Sequence, residues 1–210
     1  IMLRHRSAGL MSFGSADFPP STLEHAVSSG FEGFGLRSSL VATMATQGFT
    51  TPTEIQKRVI PAMLTDHSVV GIAETGSGKT LAYAIPLLHQ LKALEERGGA
   101  VQTPGQPRGA ILVPTRELGE QVARVIKGLT HDTRLRVRSV IGGSTLEVAR
   151  RGVREPFDIL VATPGRLIQF LDRHLIDFSD VRFLVLDEAD QLLDMGFLKD
   201  VVRLIDSTSP

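Results

Sequence analysis

The chain has 210 residues, 42% of them hydrophobic, which suits one well-buried domain or at most two small ones. Its 23 basic and 23 acidic residues cancel, so a wholesale basic surface for nucleic acid is excluded and any phosphate contact has to be local. The absence of cysteine excludes a disulfide framework and a cysteine-based zinc site and fits an intracellular protein; no apolar run nears the roughly 20 residues of a bilayer span, which predicts a soluble chain with no membrane partner.

The first sixteen residues, IMLRHRSAGLMSFGSA, carry Arg4 and Arg6 and no acid before Asp17. A loosely packed terminal extension is the commoner origin of such a stretch, and its composition is also that of an organellar transit segment. Residues 1–30 are therefore set apart as an extension, and the start on Ile1 reads as a piece of something longer. Leu36, Leu40, Val41 and Met44 fall at helical spacing before Gly48. Thr53 caps a second predicted helix with Ile55, Val59, Met63 and Leu64 on one face, which Pro61 is expected to kink or end early. Val69 to Ala73 reads as a short buried strand, followed by a glycine-rich turn and a helix from Lys79 to about Glu96. Residues 97–108 hold too many glycines and prolines for regular structure and read as a surface loop.

From there one rhythm repeats. Strands at Ala110–Val113, Val137–Ile141 and Asp158–Ala162 hand over to helices starting at Thr115, Ser144 and Pro164, and a last strand, Phe183–Leu186, leads into a helix beyond Ala189. Near-continuous apolar strands alternating with helices predict an α/β fold: a parallel sheet with helices on both faces, whose ligands sit at the carboxyl ends of the strands.

Two motifs carry the chemistry. In Ala73-Glu74-Thr75-Gly76-Ser77-Gly78-Lys79-Thr80, glycines between a strand and a helix let backbone N–H groups wrap a phosphate, with Lys79 directed to the β and γ groups and the Thr80 hydroxyl to Mg²⁺. The general pattern has glycine where Ala73 stands. Asp187 and Glu188 end a strand of core character, which delivers two carboxylates to the sheet edge that the phosphate loop also occupies. Asp187 is the candidate Mg²⁺ ligand, and Glu188 the candidate base for water attacking the γ-phosphate.

With Asp187-Glu188-Ala189-Asp190 in place, the sequence from Phe31 onward resembles the DEAD-box family of ATP-dependent RNA helicases, and specifically their first RecA-like, P-loop domain. Gly48-Phe49-Thr50-Thr51-Pro52-Thr53-Glu54-Ile55-Gln56 resembles the family's Q motif, with Phe31 at the position of its isolated upstream aromatic. The resemblance implies that Phe31, Phe49 and Gln56 join Thr75, Gly76, Ser77, Gly78, Lys79 and Thr80 in binding ATP. Gln56 would pair with the adenine amino group and N7, and Phe31 would stack on the ring. Pro114-Thr115-Arg116, Gly142-Gly143 and Thr163-Pro164-Gly165-Arg166 resemble the family's RNA-contacting motifs, implying backbone and 2′-hydroxyl contacts with little sequence preference. Glu54 stands where the family usually has proline, and Asp66-His67-Ser68 where it commonly has Gly, a basic residue and Asp; neither should disturb ATP binding.

The family's Ser-Ala-Thr motif would lie beyond Pro210, followed by a second RecA-like domain, so 31–210 is read as one half of the machine, with Asp190 set to couple to the missing half. Such a half is expected to bind nucleotide weakly and to unwind nothing alone. Two other readings stand beside the helicase: a non-enzymatic RNA clamp or scaffold within a ribonucleoprotein, and a DNA-directed P-loop motor. A cytoplasmic or nuclear location is expected, with an organelle as the alternative.

Overall fold

The computed structural model describes residues 2–5, 30–65, 67–143 and 145–208. Its centre is a six-stranded sheet in the order β2-β1-β6-β3-β5-β4. The parallel block comprises β3 (Gly109–Leu112), β4 (Val137–Val140), β5 (Ile159–Ala162) and β6 (Phe183–Leu186). Strands β3, β5 and β6 are buried at every position. Successive side chains point to opposite faces of a strand, so an unbroken apolar run is stable only where both faces are covered. Ile111, Ile159, Val161 and Val185 enter one cluster, beneath α1 (Ser38–Thr46), α2 (Glu54–Leu64), α3 (Lys79–Gly98) and α4 (Arg116–Leu129). Their neighbours Leu112, Leu160, Ala162 and Leu184 enter the other, with α6 (Pro164–Leu171), α7 (Ala189–Asp194) and α8 (Leu198–Asp206). The short helix α5 (Leu146–Gly152) follows β4.

Two expectations need correction. Met2–His5 forms β1, antiparallel to both β2 (Val69–Val70) and β6, so the span 1–30, expected as an extension outside the domain, contributes a strand to the sheet. The transit-segment reading otherwise falls on 6–29, outside the described residues. Strand β2 spans only Val69–Val70, and Ile72 is 94% exposed instead of buried. Pro61 lies inside its helix, and of the kink or early end expected there the early end is not seen, since α2 runs on to Leu64; the Met63 carbonyl is held by Gln90 Nε2 at 2.7 Å from α3. The helix expected beyond Ala189 is present as α7, and α8 follows it as a separate helix because Gly196 takes a left-handed conformation (φ 83°) that an α-helix cannot continue.

The loop before β5 is anchored by Asp158, which is buried. Its carboxylate accepts from the Arg136 backbone N–H at 2.7 Å and from Arg136 Nε at 3.0 Å, while Arg136 Nη2 donates to the Val101 carbonyl at 2.9 Å. Replacing Asp158 by alanine strands a backbone donor and unpairs a half-exposed guanidinium. We expect a loss of about 2–3 kcal/mol, below the range for a wholly buried pair because Arg136 reaches water. A fall in the urea midpoint at constant m-value checks it.

Candidate active site

The parallel register brings the motifs to one level. Leu112 lies opposite both Ala162 and Leu186, and Val140 opposite Ala162. The next residue of each strand is still in the ladder: Val113 N–H donates to the Ala162 carbonyl (3.0 Å), Thr163 N–H to Val140 (3.2 Å) and Asp187 N–H to Leu112 (2.9 Å). Val113, Ile141, Thr163 and Asp187 therefore stand side by side at the carboxyl edge of the sheet, with Pro114 directly after Val113, where ligands of parallel α/β sheets bind.

The phosphate loop reaches that edge after β2. Gly76 and Gly78 have φ of 83° and 92°, values that glycine adopts without a Cβ penalty. The loop folds on itself through Ser77 Oγ, which donates to the Glu74 carbonyl at 2.7 Å. Thr75 and Gly76 are exposed, and Gly78 immediately precedes α3, so the backbone N–H groups at the start of a 20-residue helix are adjacent to the loop. Lys79 Nζ donates to the Ala73 carbonyl (2.9 Å) and pairs with Glu188 Oε1 (3.2 Å). That pair joins the two motifs across the edge.

Asp187 is buried, its Oδ2 accepting from the Tyr83 hydroxyl (2.8 Å) and its Oδ1 from the Glu188 N–H (3.0 Å). Burial raises its pKa above the ordinary carboxylate value, and these two hydrogen bonds offset only part of that. A divalent cation reverses such a penalty by supplying charge to the anion. Glu188 takes a left-handed backbone (φ 47°, ψ 54°) just before α7, unfavourable for a residue with a Cβ, and such strain concentrates at working sites. Asp190 is exposed in the first turn of α7.

The Q-motif residues are more enclosed than their assigned roles require. Gln56 is 2% exposed; its Oε1 accepts from Thr53 N–H (3.0 Å), closing a capping box at the start of α2, and its Nε2 donates to the Gly78 carbonyl (3.1 Å). The amide thus ties α2 to the phosphate loop, and its approach for adenine is closed in this conformation. Phe31 is also 2% exposed, packs in the core and meets the Phe34 ring edge-on at 6.1 Å, so it presents no open stacking face. Phe49 is partly exposed.

Among the RNA candidates, Thr115 caps α4 by accepting from Leu118 N–H (3.2 Å), and Arg116 lies over Gly143: a Cβ there would sit 1.8 Å from Arg116 Nη1. Arg116 is exposed and paired with Glu120 at 2.7 Å. Gly142 continues that surface, with Ser144 outside the described residues. Pro164 is buried at the first position of α6, Gly165 faces Phe197, and Arg166 stacks over Phe170 while donating to Gln169. Thr163 makes no side-chain cap to α6.

Sequence reasoning missed Tyr83. The available signal was a tyrosine at i+3 from Thr80 inside an otherwise apolar helix, since a buried phenol needs a partner.

A phosphate loop joined by its lysine to a carboxylate pair, at the carboxyl edge of a sheet covered on both faces, defines a P-loop nucleotide-binding domain. The chain belongs to the DEAD/DEAH box helicase family, whose model matches residues 53–210. It is 39% identical over 176 residues to the ATP-dependent RNA helicase dbp10 of Aspergillus fumigatus, covering 84% of this chain and 19% of that protein. It is 39% identical over 183 residues to DBP10 of Chaetomium globosum, covering 87% of this chain and 23% of that one. The chain thus spans less than a quarter of the length of these curated relatives. A crystal structure of a DEAD box protein from Methanococcus jannaschii superposes with a TM-score of 0.76 at 34% identity, over 86% of this chain and 47% of that one. A hypothetical ATP-dependent RNA helicase from Sulfolobus tokodaii gives 0.71 at 35%, over 82% and 47%. The RecA-like fold expected from the motifs is thereby shown. No described helix is long and apolar enough to cross a membrane.

Proposed function

We propose that this chain is the ATP-binding half of an RNA-stimulated ATPase that separates short duplexes or remodels ribonucleoprotein. The observation that carries it is the Lys79–Glu188 pair at 3.2 Å, which puts the phosphate-binding cation and the candidate base at one point of the sheet edge. The loop amides and Lys79 take the phosphates, and the γ-phosphate competes with Glu188 for the ammonium. Lys79 turns to the phosphate, and Glu188 is released to take a proton from water as its oxygen attacks the γ-phosphorus. The bond from that phosphorus to its bridging oxygen breaks, and ADP and phosphate leave.

Thr80 and Asp187 suit Mg²⁺. A hydroxyl and a carboxylate are a sparse oxygen donor set, which suits a cation that keeps waters and phosphate oxygens in its shell. When bound, Mg²⁺ neutralises charge developing on the phosphates. Phe49, Gln56 and Phe31 are assigned to the adenine side. Since Gln56 and Phe31 are closed here, nucleotide entry has to open that side of the site, and ordering it costs affinity in the isolated chain.

RNA is assigned to Pro114, Thr115, Arg116, Gly142, Gly143, Thr163, Pro164, Gly165 and Arg166, which offer helix-start amides, hydroxyls and guanidinium groups along the same edge. Asp190 is assigned to coupling with a second RecA-like domain. The test compares ATP turnover with RNA and with DNA of the same sequence in the full-length protein. RNA is expected to stimulate and DNA to fail, because the contacts include 2′-hydroxyls; equal stimulation would establish the DNA-motor reading instead. In that assay Arg116→Ala should weaken RNA uniformly across sequences and flatten the log–log salt slope by about 0.7, the single-strand value per phosphate contact. An unchanged slope removes Arg116 from the RNA path.

A further inference from the structure

Tyr83 is the single tyrosine of this chain, wholly buried in α3 between Ala82 and Ala84. Its hydroxyl donates to Asp187 Oδ2 at 2.8 Å. With Oδ1 taken by the Glu188 N–H, both oxygens of the Asp187 carboxylate are held. The phenol on α3 therefore holds a carboxylate at the end of β6, 104 positions away in sequence. A phenylalanine would fill this apolar position with no polar atom to satisfy; what the hydroxyl adds is the hold on the Asp187 carboxylate.

We propose that Tyr83 is a positioning residue for the divalent cation of the nucleotide site, fixing the orientation of the Asp187 carboxylate before nucleotide arrives. The inference rests on the reading of Thr80 and Asp187 as metal-facing. Groups that orient a metal ligand in this way typically contribute 10–100-fold in metal affinity, because a carboxylate free to rotate has to be ordered at the moment of binding.

The experiment uses the full chain and a fluorescent ADP analogue, titrated with Mg²⁺ and, separately, bound in EDTA. Tyr83→Phe, which keeps the ring, is expected to raise the Mg²⁺ midpoint about tenfold while nucleotide affinity in EDTA stays within about twofold. Asp187→Asn serves as the control on the underlying reading and should remove the Mg²⁺ dependence. If Asp187→Asn does so and Tyr83→Phe leaves the midpoint unchanged, or weakens EDTA and Mg²⁺ binding equally, the phenol is a packing group and the inference is overturned while the metal site stands. If Asp187→Asn itself changes nothing, the metal reading fails and takes the inference with it. Because the chain has one tyrosine, biosynthetic 3-fluorotyrosine reports on it without mutation should the phenylalanine variant not fold. Its ¹⁹F resonance should move when Mg²⁺ is added to the ADP complex, and a resonance indifferent to Mg²⁺ overturns the proposal.

Discussion

Replacing Glu188 by glutamine should lower ATP turnover by about 10²–10⁴-fold, the range for loss of a general base, with nucleotide binding preserved. Glutamine keeps the length and volume of the side chain, so the left-handed backbone at 188 and the amide hydrogen bond to Asp187 are retained. What is lost is the proton acceptor. The charge that holds Lys79 at 3.2 Å is lost with it, so the ammonium no longer leaves an ion pair to meet the phosphates. Affinity is accordingly expected to hold steady or to tighten by about two- to threefold, a fraction of a kcal/mol, as suits the release of a partly exposed pair. Single-turnover hydrolysis with RNA present, set against equilibrium binding of a fluorescent ATP analogue, separates these effects. A turnover loss under tenfold would remove Glu188 from the base role. A parallel collapse of binding would show that the Lys79–Glu188 pair is structural.

Gly78→Ala is expected to damage both stability and nucleotide binding. Residue 78 has φ 92°, where a Cβ costs about 1–3 kcal/mol on backbone grounds alone. The added Cβ would also lie 2.5 Å from Gln56 Nε2 and 3.2 Å from Thr53 Oγ1. Gln56 cannot step aside cheaply: it is buried and held at both ends, by the Thr53 amide and by the Gly78 carbonyl itself. The substitution therefore breaks the tie between α2 and the phosphate loop and leaves a buried amide short of a partner, about 1–3 kcal/mol more at most. For a chain of this size the sum corresponds to a fall in Tm of roughly 4–24 °C. Nucleotide affinity should drop more than tenfold, since the 78–79 amides would no longer be set for phosphate. The same change at Gly76, which has an open surrounding and a similar φ, isolates the backbone term. If Gly76→Ala and Gly78→Ala behave alike, the Gln56 contact contributes nothing.

Much of this molecule was legible in the chain alone, because the patterns involved are local. Apolar runs bounded by turn residues marked β3, β4, β5 and β6 within a residue or two, and their alternation with helices fixed a parallel sheet covered on both faces. The order of glycines, Lys79 and Thr80, and the Asp187-Glu188 pair after a core strand, identified the phosphate and carboxylate motifs by residue number. Register was also implicit, since each motif follows a strand directly and parallel strands present their carboxyl ends to one edge.

Only the tertiary structure decided which of these groups touch. The Lys79–Glu188 pair, the bond from Tyr83 to Asp187 and the seating of Arg116 on Gly143 join residues 109, 104 and 27 positions apart, distances over which periodicity carries no signal. The enclosure of Phe31 and Gln56 was likewise invisible, because a motif specifies residue type and order but not the rotamer or the neighbours that bury it. Placing Met2–His5 in the sheet depends on a long-range pairing between backbones, and backbone hydrogen bonds are blind to sequence. Residue identity thus determined the chemistry available to this protein, and packing determined which of that chemistry is held ready at the site and which is closed.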